Sequence, residues 1–130
     1  MPIEYRIVHE HRILIAKARG NVIEEDIFGY QHEVWSRTEV DGYDELVDMS
    51  DVERIVLPSI NRVRELVSAS ANMDKPSKSR FAIVAPNDYA FGLARMFQAY
   101  RELDVRSTKR VAVFRCMEDA LAFLNLATLP

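Results

Sequence analysis

The segment Phe81-Ala82-Ile83-Val84-Ala85 constrains this chain more than any other, because five apolar residues follow one another without alternation and stop at Pro86-Asn87-Asp88. A run so short and so continuous fits a strand covered on both faces, as in a parallel sheet between helices. The Pro-Asn-Asp stop also supplies a cap for a following helix. Arg110 to Arg115 repeats the plan, and a last helix is predicted from Met117 to about Leu126. Upstream, Gly42 breaks the chain before a short strand, Asp44 to Met49, bounded by Ser50-Asp51. A helix is expected from Leu57-Pro58-Ser59, where Pro suits a first helical position and Ser a cap; Ile60, Val63, Leu66, Val67 and Ser70 form one face, and the polar stretch Met73 to Lys78 ends it. Asn21 followed by Glu24 has the form of a capping box and predicts a helix running to about Thr38. At the start, Tyr5, Ile7 and Val8, then Ile13, Leu14 and Ile15, flank the polar His9-Glu10-His11-Arg12 and read as a hairpin. Strands alternating with helices imply right-handed parallel crossovers. The expected class is α/β: one domain over residues 1–130, with an N-terminal β-hairpin, βαβ crossovers and four helices.

Composition narrows the function classes. The 130 residues carry 17 Lys plus Arg against 20 Asp plus Glu, a net charge of 17 − 20 = −3, which offers no electrostatic footprint for nucleic acid. No run approaches the ~18 apolar residues of a membrane span, and the opening MPIEYRIVHE lacks the layout of a secretory signal. The single cysteine, Cys116, excludes an internal disulfide framework and a multi-cysteine metal site. A soluble, cytoplasmic protein without cofactor is expected.

Leu46-Val47-Asp48-Met49-Ser50-Asp51-Val52, Phe81 to Pro86, Ala90-Phe91-Gly92-Leu93-Ala94-Arg95-Met96, and Val113-Phe114-Arg115 with Glu118 to Leu124, taken with the opening hairpin, resemble the STAS superfamily, in particular its SpoIIAA-like branch of small bacterial proteins. The resemblance covers nearly the whole chain. It implies a compact sheet flanked by helices, a relationship to lipid-binding CRAL-TRIO domains, and non-enzymatic roles in signalling or ligand binding. In the anti-sigma-factor antagonists of that superfamily an Asp-Ser-Ser-Gly segment opens the second helix, and its second Ser is phosphorylated to release a partner. Here Val56-Leu57-Pro58-Ser59 stands at that place, with Pro58 at the phosphoserine position and Ser59 one residue later. Ser59 is the phosphosite candidate; a plain helix cap is the other reading.

Catalytic chemistry has little to rest on. An extended strand through His9-Glu10-His11 would put both imidazoles on one face, within reach of a shared metal, whereas a tight turn would splay them; no third ligand is placed. His32 has no His or carboxylate four residues on, and belongs to a surface or rim. Cys116 lies between the last strand and helix, where a thiol's pKa can be depressed, but no partner motif surrounds it. Asp48 and Asp51 end a strand as the acidic pocket of a receiver domain would, yet the rest of that pocket is missing. No catalytic residue and no metal site is assigned.

The helical arithmetic leaves aromatic rings over. In the third helix, Tyr89, Leu93, Met96, Phe97, Tyr100 and Leu103 share a face expected to be core, with Phe91 on the opposite side. In the first, Ile23, Ile27, Tyr30 and Val34 form the core stripe, while Phe28 and Trp35 make a second stripe roughly 120° away, with His32 beyond it. Gly29 and Gly92, inside these helices, suggest close approach by another element or ligand. The leading expectation is a STAS-like module that recognises a protein partner or itself through Phe91, Tyr89, Phe28, Trp35 and His32. The second is a carrier of a nonpolar small molecule, or a membrane-surface binder, whose aromatic stripes line a cavity or form a lip. A third is a thiol-dependent enzyme at Cys116.

Overall fold

The computed structural model describes residues 2–56, 59–73 and 79–130. Leu57, Pro58 and residues 74–78, on which the start of the second helix and the following loop were read, lie outside the described residues. The opening hairpin pairs β1 (Ile3–Val8) antiparallel with β2 (Ile13–Ile23). A 3-10 turn over His9–His11 joins them, and Arg12 closes it in the left-handed conformation at φ 50°. Helix α1 (Glu24–Trp35) leads to β3 (Asp44–Val56), α2 (Ile60–Asn72) to β4 (Arg80–Val84), α3 (Asp88–Leu103) to β5 (Arg110–Phe114), and α4 (Met117–Phe123) follows.

The sheet order is β1-β2-β3-β4-β5, with β2 through β5 parallel. Successive right-handed crossovers in a sheet that advances in one direction place α1, α2 and α3 on the same face. Side-chain alternation then divides the core. On one face Leu46 joins Ile13, Ile15, Ala82 and Val84 under Ala120, Leu121 and Leu124 of α4 and the residues just after it. On the other, Val47 packs with Leu14, Ala16 and Val34 of α1, and Phe81 and Ile83 pack with Ala94 and Phe97 of α3.

Several boundaries differ from expectation for identifiable reasons. Asn21 does not cap α1, because it stays in β2 opposite Arg54; the ladder runs on to Ile23 and Val56. The Asp26 carboxylate instead accepts from the Ile23 backbone N–H at 2.9 Å, which is one half of a capping box two residues later. Helix α1 ends at Trp35, and Thr38–Val40 forms a separate 3-10 turn. Ser50-Asp51 do not end β3, since β3 carries one extra residue opposite Lys17–Arg19 and another opposite Gly20–Asn21, and with these bulges the strand continues to Val56. The expected core face of α3 is out of phase. Ala90, Ala94 and Arg101 are its buried residues, while Tyr89, Met96 and Leu103 are exposed. Large side chains suggested one face, and small ones let the helix approach the sheet on another. Gly29 and Gly92 do not mark close approach: no described atom lies within 4 Å of where a Cβ would stand.

Candidate functional site

The three same-side helices do not fill the space above the sheet. A cavity of about 140 Å³ lies between them and β3 and β4. Ile27, Gln31 and Trp35 line it from α1, four residues apart and therefore on one ridge. Val63, Leu66 and Ser70 line it from α2, Leu93, Ala94 and Phe97 from α3, and Val47, Met49, Phe81 and Ile83 from the sheet floor. The lining is mostly apolar, with polar groups gathered where β3, β4 and β5 begin.

Glu45 organises that polar end. The period of two along β3 puts it on the same face as Val47 and Met49, so the strand carries a carboxylate into the layer under α1. Only 3% of it is exposed. Its Oε2 accepts from the Tyr30 hydroxyl at 2.6 Å and from Trp35 Nε1 at 3.2 Å, and Lys109 Nζ stands 3.6 Å from Oε1. The same ammonium lies 3.2 Å from the centroid of the Trp35 ring, so cation and carboxylate share one aromatic wall. Burial, followed by repulsion from Glu45, raises the Tyr30 phenol well above its ordinary value of 10.0, which keeps it a donor. Arg101 closes the floor on the α3 side at 1% exposure, donating to Ser107 Oγ at 3.0 Å and to Ser70 Oγ, with its guanidinium 5.8 Å from the Phe97 centroid. Gln31, 7% exposed, has a fully enclosed carbonyl oxygen that accepts no hydrogen bond among the described residues.

The aromatic residues singled out from the sequence are not gathered into one surface. Trp35 turns inward and lines the cavity. Phe28, half-buried, lies under Arg62 at 5.3 Å, and Phe91, also half-buried, under Arg115 at 3.9 Å. Phe28 and Trp35, two turns apart on α1, nevertheless meet different surroundings: Phe28 lies under the Arg62 guanidinium, and Trp35 lies against Glu45 and Lys109. Tyr89 is 55% exposed, and its hydroxyl donates to the Ile55 carbonyl at 2.6 Å. His32 is exposed on α1. Ser59 caps α2, its hydroxyl accepting from the Arg62 N–H at 3.3 Å. Cys116 is exposed at the start of α4. His9 sits in the turn with Nδ1 2.7 Å from the Tyr43 hydroxyl, and the turn removes the extended alternation that would align it with His11. Asp48 is engaged by the Ser50 backbone N–H at 2.9 Å and by Lys17 Nζ at 3.7 Å; Lys17 also reaches Asp51 at 3.2 Å. No group of three or more His, Cys, Asp or Glu able to hold a metal occurs among the described residues.

Glu45, Gln31, Lys109 and Arg101 were not singled out from the sequence. Two of them carried a signal: Arg101 falls on the helical face of Ala90, Ala94 and Phe97, and Gln31 stands midway between Ile27 and Trp35 on one ridge. A polar residue on an apolar stripe marks a buried hydrogen-bonding site.

The architecture is a SpoIIAA-like fold: one mixed sheet with an antiparallel first strand and, among the described residues, four α-helices. Among solved structures the chain is similar to an uncharacterised protein of the DUF3478 family with a SpoIIAA-like fold from Shewanella loihica PV-4, at 18% identity over 94% of this chain and 93% of that one, with a TM-score of 0.60. No family model matches the chain, and no curated protein does. No helix among the described residues is long and apolar enough to cross a membrane.

Proposed function

We propose that this chain is a single-domain, non-catalytic module that binds a nonpolar small molecule between its sheet and helices α1 to α3. The observation that carries the reading is the cavity of about 140 Å³, lined mostly by apolar side chains from three helices and the sheet beneath them. Protein interiors seldom tolerate such space without use, and an apolar cavity of roughly 150 Å³ is known to stay dry and take up benzene. The volume therefore suits one ring or a short chain. The single tryptophan, Trp35, is part of the lining and reports on occupancy. Titration with toluene is expected to change Trp35 emission saturably in the native protein and not in Val63→Phe, whose added ring occupies the space. An identical response in both proteins would remove the cavity from the account. The exposed free thiol of Cys116 suits a reducing, cytoplasmic setting.

A second reading, recognition of a protein partner or a second copy, is favoured by one patch. Tyr89 stands beside the paired ends Ile23 and Val56, exposed at 42% and 44%. Exposed apolar groups clustered in this way favour contact with another surface. Tyr89→Ser and Phe91→Ala should then lower self-association in sedimentation or capture of a partner; unchanged behaviour in both would leave the patch without that role.

A further inference from the structure

The polar end of the cavity specifies more than apolar contact. Gln31 lines the cavity and is more than nine-tenths buried, yet its carbonyl oxygen accepts nothing among the described residues. An amide oxygen enclosed without a donor is a standing cost that a native core rarely carries. Nearby on the same wall, Glu45 has committed Oε2 to Tyr30 and Trp35, while the ammonium near Oε1 lies at 3.6 Å, beyond ordinary hydrogen-bond length. The wall therefore presents acceptor capacity on both residues, next to the ring of Trp35.

We infer that the ligand is a single-ring aromatic compound bearing a neutral hydrogen-bond donor, a phenolic hydroxyl or a ring N–H, which Gln31 and Glu45 accept while Trp35 and Phe97 pack the ring. A donor satisfies the Gln31 oxygen, whereas a hydrocarbon leaves it unsatisfied. An anionic head would set a second negative charge against buried Glu45 and another acceptor against Gln31, while the two cations at this end are engaged, Lys109 with Glu45 and Arg101 with Ser70 and Ser107; it is rejected. The size limit follows from the volume of about 140 Å³, and the inference rests on the binding-module reading above.

Calorimetric titration with phenol, toluene and benzoate tests it, because phenol and toluene differ only by hydroxyl for methyl. In the native protein phenol is expected to bind about tenfold more tightly than toluene, and benzoate to show no saturable binding, since a site built around a hydrogen bond discriminates strongly against the analogue lacking it. In Gln31→Leu the order should invert in favour of toluene, with the fold retained because an unsatisfied amide has been replaced by a hydrocarbon. Toluene binding more tightly than phenol to the native protein, benzoate binding best, or an order unchanged by Gln31→Leu would each overturn the assignment of the head group while leaving the cavity as a ligand site. Absence of binding by all three would instead overturn the binding-module reading, and this inference with it.

Discussion

The two faces of the sheet are built from the same strands and finished differently. Beneath α4, Ile13, Ile15, Leu46, Ala82 and Val84 close against Ala120, Leu121 and Leu124. Beneath α1 to α3, the same strands present Glu45 and Phe81 to a cavity that three helices leave unfilled. One short helix seals its face by close packing of small and aliphatic groups, while three longer helices span a wider floor and meet over empty space. A core can be complete on one side and open on the other because each strand residue commits to only one face. Binding capacity here belongs to the face where packing stops short.

The largest expected effect comes from opening the sealed face. Leu46 is completely buried, and Leu46→Ala should lower unfolding free energy by about 2–5 kcal/mol in denaturant titrations, as large-to-small core changes do. Next is the polar wall of the open face. Tyr30→Phe removes a donor to buried Glu45 and should cost about 1.5–3 kcal/mol at neutral pH, the range for hydrogen bonds to charged groups. The native phenol ionises more readily in the unfolded chain than in the folded one, so its contribution is complete below the unfolded value near 10 and is lost as pH rises toward the higher folded value. Tyr30→Phe should accordingly show a shallower alkaline loss of stability; an unchanged alkaline limb would mean that Tyr30 is not held neutral by its surroundings.

A matched pair breaks the comparison most sharply. Val84→Phe overpacks the sealed face and should cost about 1–3 kcal/mol, whereas Val63→Phe enters the cavity and should be neutral or raise Tm. Equal losses in the two variants would mean that both faces are equally full. The smallest effect is expected at Asp104, on the connection between α3 and β5 and outside both faces. Hydrogen bonds from Arg106 lower its carboxyl from 3.8 to about 2, so it adds stability above the unfolded value that is lost as pH falls toward the folded one. Asp104→Asn should flatten the acid limb slightly and leave ligand binding untouched.

The element order, the hairpin and the parallel crossovers were legible because continuous apolar runs such as Phe81 to Ala85, Gly42 and the cap at Asn87 are local signals. Exact ends were less so: whether Asn21 caps a helix or extends a strand depends on the partner strand through Ile23 and Val56, which is a tertiary fact. The site was legible only in part. Trp35 stood out as an aromatic off the core stripe, but its inward direction follows from its bond to Glu45 on a neighbouring strand, which periodicity along one helix does not encode. Lys109 reaches the same wall from the start of β5, and nothing in its immediate sequence neighbourhood announces that meeting. The phase error in α3 has a similar origin, since ranking faces by bulky residues overlooks Ala90 and Ala94, whose small size brings the helix down and leaves Arg101 buried.

The difference between the faces can be measured directly by pressurising crystals with xenon, which enters dry apolar cavities without needing any polar contact. The account predicts xenon density bounded by Leu93, Phe97 and Ile83 above β3 and β4, and none beneath α4. Density beneath α4 instead, or an empty and collapsed space between α1 and α3, would contradict it.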